Sequence, residues 1–197
     1  MASDPLEIAS RGMFSRNLVV DAAGVQLGKK RLAWTEVDHY RYDLQDWRRR
    51  GDFELTTAAN RVVRLEPIFD HWPLLAEYVL DALHPRLRAD PYFHPFDLAA
   101  DGLGHVGLGR VAYADLDHVE LAAVGTGVVV FVHTRAKKEW VRAELRDIAN
   151  LWLWLEALIA RGVSVRSELD FHLPPSLSPL AAHLALAGRL PAAKLVR

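Results

Sequence analysis

The sequence predicts a mainly β fold with α (β+α). It is laid out as two tandem strand-rich units, each closed by a C-terminal helix, with a tail that carries a short helix. Three observations predict this. The phrase Ala33-Trp34-Thr35-Glu36-Val37-Asp38-His39 returns as Ala112-Tyr113-Ala114-Asp115-Leu116-Asp117-His118, and a glycine precedes each copy, Gly24 and Gly102. Short apolar runs alternate with Gly- and Asp-containing turns through both copies, as strands joined by tight turns do. Each copy then changes to apolar residues spaced three and four apart, the period of an amphipathic helix.

In the first copy Leu18-Val19-Val20 is an apolar run, and Asp21-Ala22-Ala23-Gly24 is a turn in which Gly24 can supply positive φ. Val25–Leu27 and Arg31–Trp34 flank a second turn at Gly28-Lys29-Lys30. Val37–Leu44 reads as a longer strand, followed by an Arg-rich loop. Phe53–Thr57 and Arg61–Leu65 flank Ala58-Ala59-Asn60 as a hairpin. Ile68, Phe69, Trp72, Leu75, Ala76, Val79, Leu80 and Leu83 then predict a helix ending near His84-Pro85, where proline removes a donor.

The second copy repeats the order. Phe96–Leu98 is a strand and Ala100-Asp101-Gly102 a turn. Leu103–Gly107, Arg110–Tyr113, Leu116–Ala122, Val128–Thr134 and Glu139–Val141 are the following strands, and a helix is predicted over Leu145–Ala160 with Gly162 as its C-cap. In the tail, Pro174–Pro179 is a loop and Leu180–Gly188 a short helix with Ser178 as its N-cap. The expected division is 1–88 for the first domain, 89–95 for a Pro-rich linker, 96–162 for the second domain and 163–197 for the tail.

Composition narrows the function classes. Of 197 residues, 51% are hydrophobic and 25% charged, the balance of a globular protein with a sizeable core. The formal net charge of −1 argues against a protein built mainly to neutralise phosphates, so no nucleic-acid partner is expected. With no cysteine, disulfides, thiolate catalysis and Cys-ligated zinc are excluded. The start Met1-Ala2-Ser3-Asp4-Pro5 lacks the basic and apolar runs of a signal peptide, and Ile148–Ala160 is too interrupted to span a bilayer. A cytoplasmic location is expected.

The repeated residues carry a resemblance. Gly24-Val25 … Trp34-Thr35-Glu36-Val37 and Gly102-Leu103 … Tyr113-Ala114-Asp115-Leu116 resemble the signature of bacterial pleckstrin-homology-like (PH-like) families. Ile148-Ala149-Asn150 before Leu151-Trp152-Leu153-Trp154-Leu155 resembles their helix start. The resemblance spans about residues 12–162 and implies two tandem PH-like barrels or half-barrels, each capped by its helix. Trp34 and Tyr113 are expected to anchor the core beneath those helices.

Candidate sites follow from residue type. Nine histidines include no HExxH and no helical i, i+4 pair, so neither a metal nor a cofactor is expected. Asp38-His39 and Asp117-His118 read as a duplicated turn carboxylate with its neighbour, because no nucleophile or third ligand travels with either pair. Gly102-Leu103-Gly104-His105-Val106-Gly107 fits GxGxxG on paper but falls where strand–turn–strand is predicted. No catalytic residue is assigned, and the chain is expected not to be an enzyme. Two basic clusters, Lys29-Lys30-Arg31 and Arg48-Arg49-Arg50, are the anionic-ligand candidates, since PH domains that bind phosphoinositides use basic early loops. Trp152 and Trp154 are interface candidates, facing the first copy, the C-terminal tail or a second chain. The expected function is a non-catalytic binding or scaffold protein with a protein partner or self-association as a homodimer. The second reading is an anionic lipid headgroup or membrane surface met through the basic loops.

Overall fold

The computed structural model describes residues 6–8, 18–46, 50–65, 72–136, 139–167, 169 and 180. Among the described residues the fold is mainly β with two α-helices. In the first half, β1 (Leu6–Ile8), β2 (Leu18–Asp21), β3 (Gly24–Leu27) and β4 (Lys30–Ala33) form an antiparallel sheet in that order. A 3-10 turn, Trp34–Glu36, leads to a second antiparallel sheet of β5 (Val37–Asp46), β6 (Arg50–Thr57) and β7 (Val62–Leu65). Helix α1 (Trp72–Leu87) follows.

The second half runs the same order. β8 (Phe96–Leu98), β9 (Gly102–His105) and β10 (Gly109–Ala112) form one sheet, and a 3-10 turn, Tyr113–Asp115, leads out of it. β11 (Leu116–Val124), β12 (Gly127–Thr134) and β13 (Val141–Glu144) form the next sheet, and α2 (Leu151–Ile159) follows. A further strand, β14 (Ser164–Ser167), lies parallel against β11. The sequence assigns no strand there. Among the described residues each of the four sheets is open, and none closes into a barrel.

Three details explain why the two copies share a phrase. Trp34 Nε1 donates to the Asp21 carbonyl at 2.8 Å, and Tyr113 OH donates to the Ala99 carbonyl at 2.9 Å. Asp21 and Ala99 both stand three residues before the repeated glycine, so each aromatic ties the 3-10 turn to the same point of its first sheet. Gly24 does not take the positive φ that the turn pattern suggests, and neither does Gly102. Instead, a Cβ on either would collide with a backbone carbonyl of the paired strand, Leu32 O or Val111 O. Finally, β5 and β11 each carry a register shift at the aspartate, between Val37 and His39 and between Leu116 and His118. Asp38 and Asp117 are therefore matching β-bulges.

Helix ends differ from the sequence pattern. The predicted stop at Pro85 is overrun, since α1 continues to Leu87 and Arg88 N–H still reaches the His84 carbonyl at 3.0 Å. Pro85 lies in the last turn, so the hydrogen bond it cannot donate and the crowding of its ring against the preceding turn fall at the end of the helix. Ile68 and Phe69 lie outside the described residues. The second helix starts at Leu151, not Leu145: Leu145–Asp147 is a 3-10 turn and Asn150 takes φ 50°, which no α-helix contains. Apolar spacing runs through Leu145 and Ile148 regardless, because both are buried. The last strand of the sheet is correspondingly later, Val141–Glu144 in place of Glu139–Val141. Of the predicted tail helix only Leu180 is described, and it is buried; the Pro174–Pro179 loop lies outside the described residues.

One apolar core runs through both halves, from Leu18 to Leu180. Among the described residues no helix is long and apolar enough to cross a membrane.

Candidate functional site

Of the two basic clusters the first is described in full, and of the second only the strand position of Arg50. Lys29 and Lys30 are exposed at the β3–β4 turn, where Gly28 takes φ 61°. Arg31, the third member, already grips both Asp21 carboxylate oxygens at 2.8 Å. That bond, with the backbone N–H groups of Ala23 and Gly24, holds the Asp21 carboxyl below the usual carboxylate range. The Arg31 carbonyl also accepts from Arg61 Nη2 at 3.4 Å, so the turn sits beside the β6–β7 hairpin. Arg50 opens β6 at the other end of that strand, seven residues from Thr57, or roughly 23 Å along an extended chain. Arg48 and Arg49 lie outside the described residues.

Trp152 and Trp154 are buried within this chain. Trp154 stacks on Phe96 of its own half, with ring centroids 4.5 Å apart. Trp152 meets Tyr42 of the first half at 5.6 Å. Beside them Asn150 bridges the halves: its N–H donates to the Tyr40 carbonyl at 2.8 Å, its Oδ1 accepts from Tyr40 N–H at 3.0 Å, and its Nδ2 donates to the Tyr92 carbonyl at 2.9 Å. Helix α2 thus covers its own sheets with one face and joins the first half with another.

The GxGxxG segment is β9 and the turn after it, with no helix following. The turn Val106-Gly107-Leu108 does carry an exposed apolar pair, Val106 at 65% and Leu108 at 54% of full accessibility. Gly107 and Gly109 take φ 86° and 83°, and the Val106 and Leu108 N–H groups bond to the Pro95 and His105 carbonyls at 3.0 and 3.1 Å. The turn corresponds to the Lys29-Lys30 turn of the first half.

The Asp–His steps fold alike and end differently. His39 Nδ1 lies 2.9 Å from Asp38 Oδ2, and His118 Nδ1 lies 2.9 Å from Asp117 Oδ2. His118 also stacks on its cross-strand partner His133, centroids 4.3 Å apart and planes within 15°. Glu120, two residues on and on the same face, places Oε2 3.4 Å from His133 Nε2 and 4.0 Å from His118 Nε2. Burial holds the His118 imidazole below its ordinary pKa against the pull of the Asp117 hydrogen bond, and Arg166 and His133 add to the lowering. Asp117 is itself lowered by its bond from His118. An open depression of about 640 Å³ lies over the group, with Thr134 and Arg135 on its wall. Sequence spacing does not reveal this convergence, because His133 arrives from another strand and the bulge at Asp117 sets its register. The signal that could have found it is the His-x-Glu alternation on a strand facing a second histidine.

No protein-family model matches this chain, and no curated protein matches it in sequence.

Proposed function

We propose that the chain is a tandem PH-like protein of the cytoplasm, a non-catalytic binding module that engages a protein partner through the β9–β10 turn. Support for the PH-like reading is the shared order of each half: a first sheet, a 3-10 turn, a second sheet and a helix. Support for partner binding rests on one observation, the exposed Val106 and Leu108 held on a turn whose backbone is pinned at both ends. Large aliphatic side chains presented this way gain free energy when a partner removes them from water, and a pinned turn loses little entropy in doing so. The buried joint around Asn150 makes the halves a common platform for such a turn.

The test is capture by the full-length chain, compared with a Val106→Ser/Leu108→Ser variant whose circular dichroism matches wild type. Proteins retained by wild type and lost by the variant support the reading. Equal capture by both, or capture by neither, counts against it.

A second reading has its own observation. Lys29 and Lys30 are exposed at the matching turn of the first half, with no carboxylate partner among the described residues. An anionic membrane surface would meet such a pair. Salt-sensitive sedimentation with phosphatidylserine vesicles, lost in Lys29→Ala/Lys30→Ala, would favour it over the protein partner.

A further inference from the structure

We propose that His118, Glu120 and His133 form a divalent-cation site of zinc type on the outer face of the second half. The ligand set is His₂Glu, which suits Zn²⁺. The three donor atoms lie within 4.8 Å of one another. Metal–ligand distances of about 2.0–2.1 Å place tetrahedral ligands roughly 3.3 Å apart. The His133–Glu120 separation of 3.4 Å already meets this, and the His118–Glu120 separation of 4.0 Å closes with a small side-chain rotation.

The local backbone brings this about. The extra residue at Asp117 shifts β11 by one position, so that His118 faces His133. Side-chain alternation then puts Glu120 on the same face. Asp117 does a second thing: its carboxylate accepts a hydrogen bond from His118 Nδ1–H, the tautomer in which Nε2, on the side of Glu120, keeps its lone pair for a cation. A carboxylate behind a ligating histidine is the usual means of fixing its tautomer. Three protein ligands leave a fourth position, open to the depression, for water or a donor from a partner.

The first half supplies an internal comparison. It has the same bulge, the same Asp38–His39 contact and the same cross-strand position, yet Arg41 stands where Glu120 does and Thr56 where His133 does. The Asp–His step alone is thus the shared architecture. The residues that would turn it into a cation site occur in the second half only. Opposing charge is also present: Arg166 lies across from Glu120 on β14, and Arg135 borders the depression. With no cation, Arg166 can balance Glu120; a bound cation competes with it.

The experiment is isothermal titration of the full chain with Zn²⁺ in a non-chelating buffer, alongside the visible spectrum of bound Co²⁺. Wild type should take up one ion per chain and give a tetrahedral Co²⁺ spectrum. His133→Ala and Glu120→Gln should abolish both signals, and Asp117→Asn should weaken binding by about 10-fold or more. His39→Ala should leave both unchanged. Each variant is checked by circular dichroism without metal. Absence of Zn²⁺ binding in wild type overturns the proposal. So does binding that survives in His133→Ala and Glu120→Gln, which would place the ion on other histidines.

Discussion

Tyr40 of β5 and Asn150, 110 residues later, satisfy each other as two paired strand residues do. Asn150 N–H and Oδ1 take the carbonyl and N–H of Tyr40, at 2.8 and 3.0 Å, and Asn150 is fully buried. The corresponding position on β11, Val119, is met at its outer edge by Val165 of β14. Each half therefore covers the edge of its long strand, by different means. An uncovered edge would present unpaired backbone groups to any passing strand.

Replacing Asn150 with Ala leaves the Tyr40 N–H buried without this partner, removes the bond to the Tyr92 carbonyl, and puts at φ 50° a residue that tolerates the left-handed region less well than asparagine. The expected loss is about 2–4 kcal/mol in urea unfolding. Asn150→Gly adopts the same φ freely and should recover about 1 kcal/mol of that loss. Equal losses for the two variants would show that the left-handed backbone costs nothing here.

Glycine positions separate close approach from turn geometry. Gly24→Ala and Gly102→Ala each push a methyl group into a carbonyl of the neighbouring strand and should lower stability by about 1–3 kcal/mol. Gly127 has open space around it and no positive φ, so Gly127→Ala should fall within about 0.5 kcal/mol of wild type. Chemical denaturation of the three variants checks the contrast.

His84 predicts a pH dependence. It is buried in α1 with Nε2 2.9 Å from the Tyr40 hydroxyl, and its pKa is lowered to about 3, by burial first and by Arg88 second. The unfolded chain binds the proton below about 6.5 and the folded chain does so only near 3. Between those values the unfolded state holds more protons, so stability falls as pH falls, by about 1.4 kcal/mol per pH unit from this group. Below about 3 its contribution levels off. Urea unfolding from pH 7 to pH 4 should show a shallower slope in His84→Gln by that amount. Parallel slopes would mean that His84 is protonated in the folded state as well.

The aromatic hooks should differ in weight. Tyr113→Phe removes a hydroxyl bond at a partly buried site and should cost about 1 kcal/mol. Trp34→Phe removes the Nε1 bond to Asp21 and also empties volume in the core, so its loss should be larger. Thermal melts of the two variants, read side by side, test the order.

Much of the architecture is legible in the chain because it depends on local pattern. Alternation and turn residues mark β3, β4, β5 and their counterparts, and the doubled phrase marks the two places, Trp34–Asp38 and Tyr113–Asp117, where a 3-10 turn and a bulge recur, although the sequence reads Trp34 and Tyr113 as strand ends. The apolar spacing of α1 and α2 is visible for the same reason, although their ends are not. Burial resumes past Pro85 at Leu87 and includes Leu145 whatever the backbone does there, so periodicity cannot locate those ends.

What the sequence by itself determined is the duplication, the mainly β class and the order of elements up to α2, since each follows from residues within a few positions of one another. Only the tertiary structure decided the rest. Whether Gly24 serves by φ or by clearance depends on Leu32 across the sheet. Whether Trp152 faces a partner or its own chain depends on Tyr42. Whether His118 stands alone or beside a second histidine depends on His133, brought opposite by a bulge that displaces the register by one residue. Contacts of this kind join residues far apart in the chain, and a single shift in strand pairing changes which side chains meet.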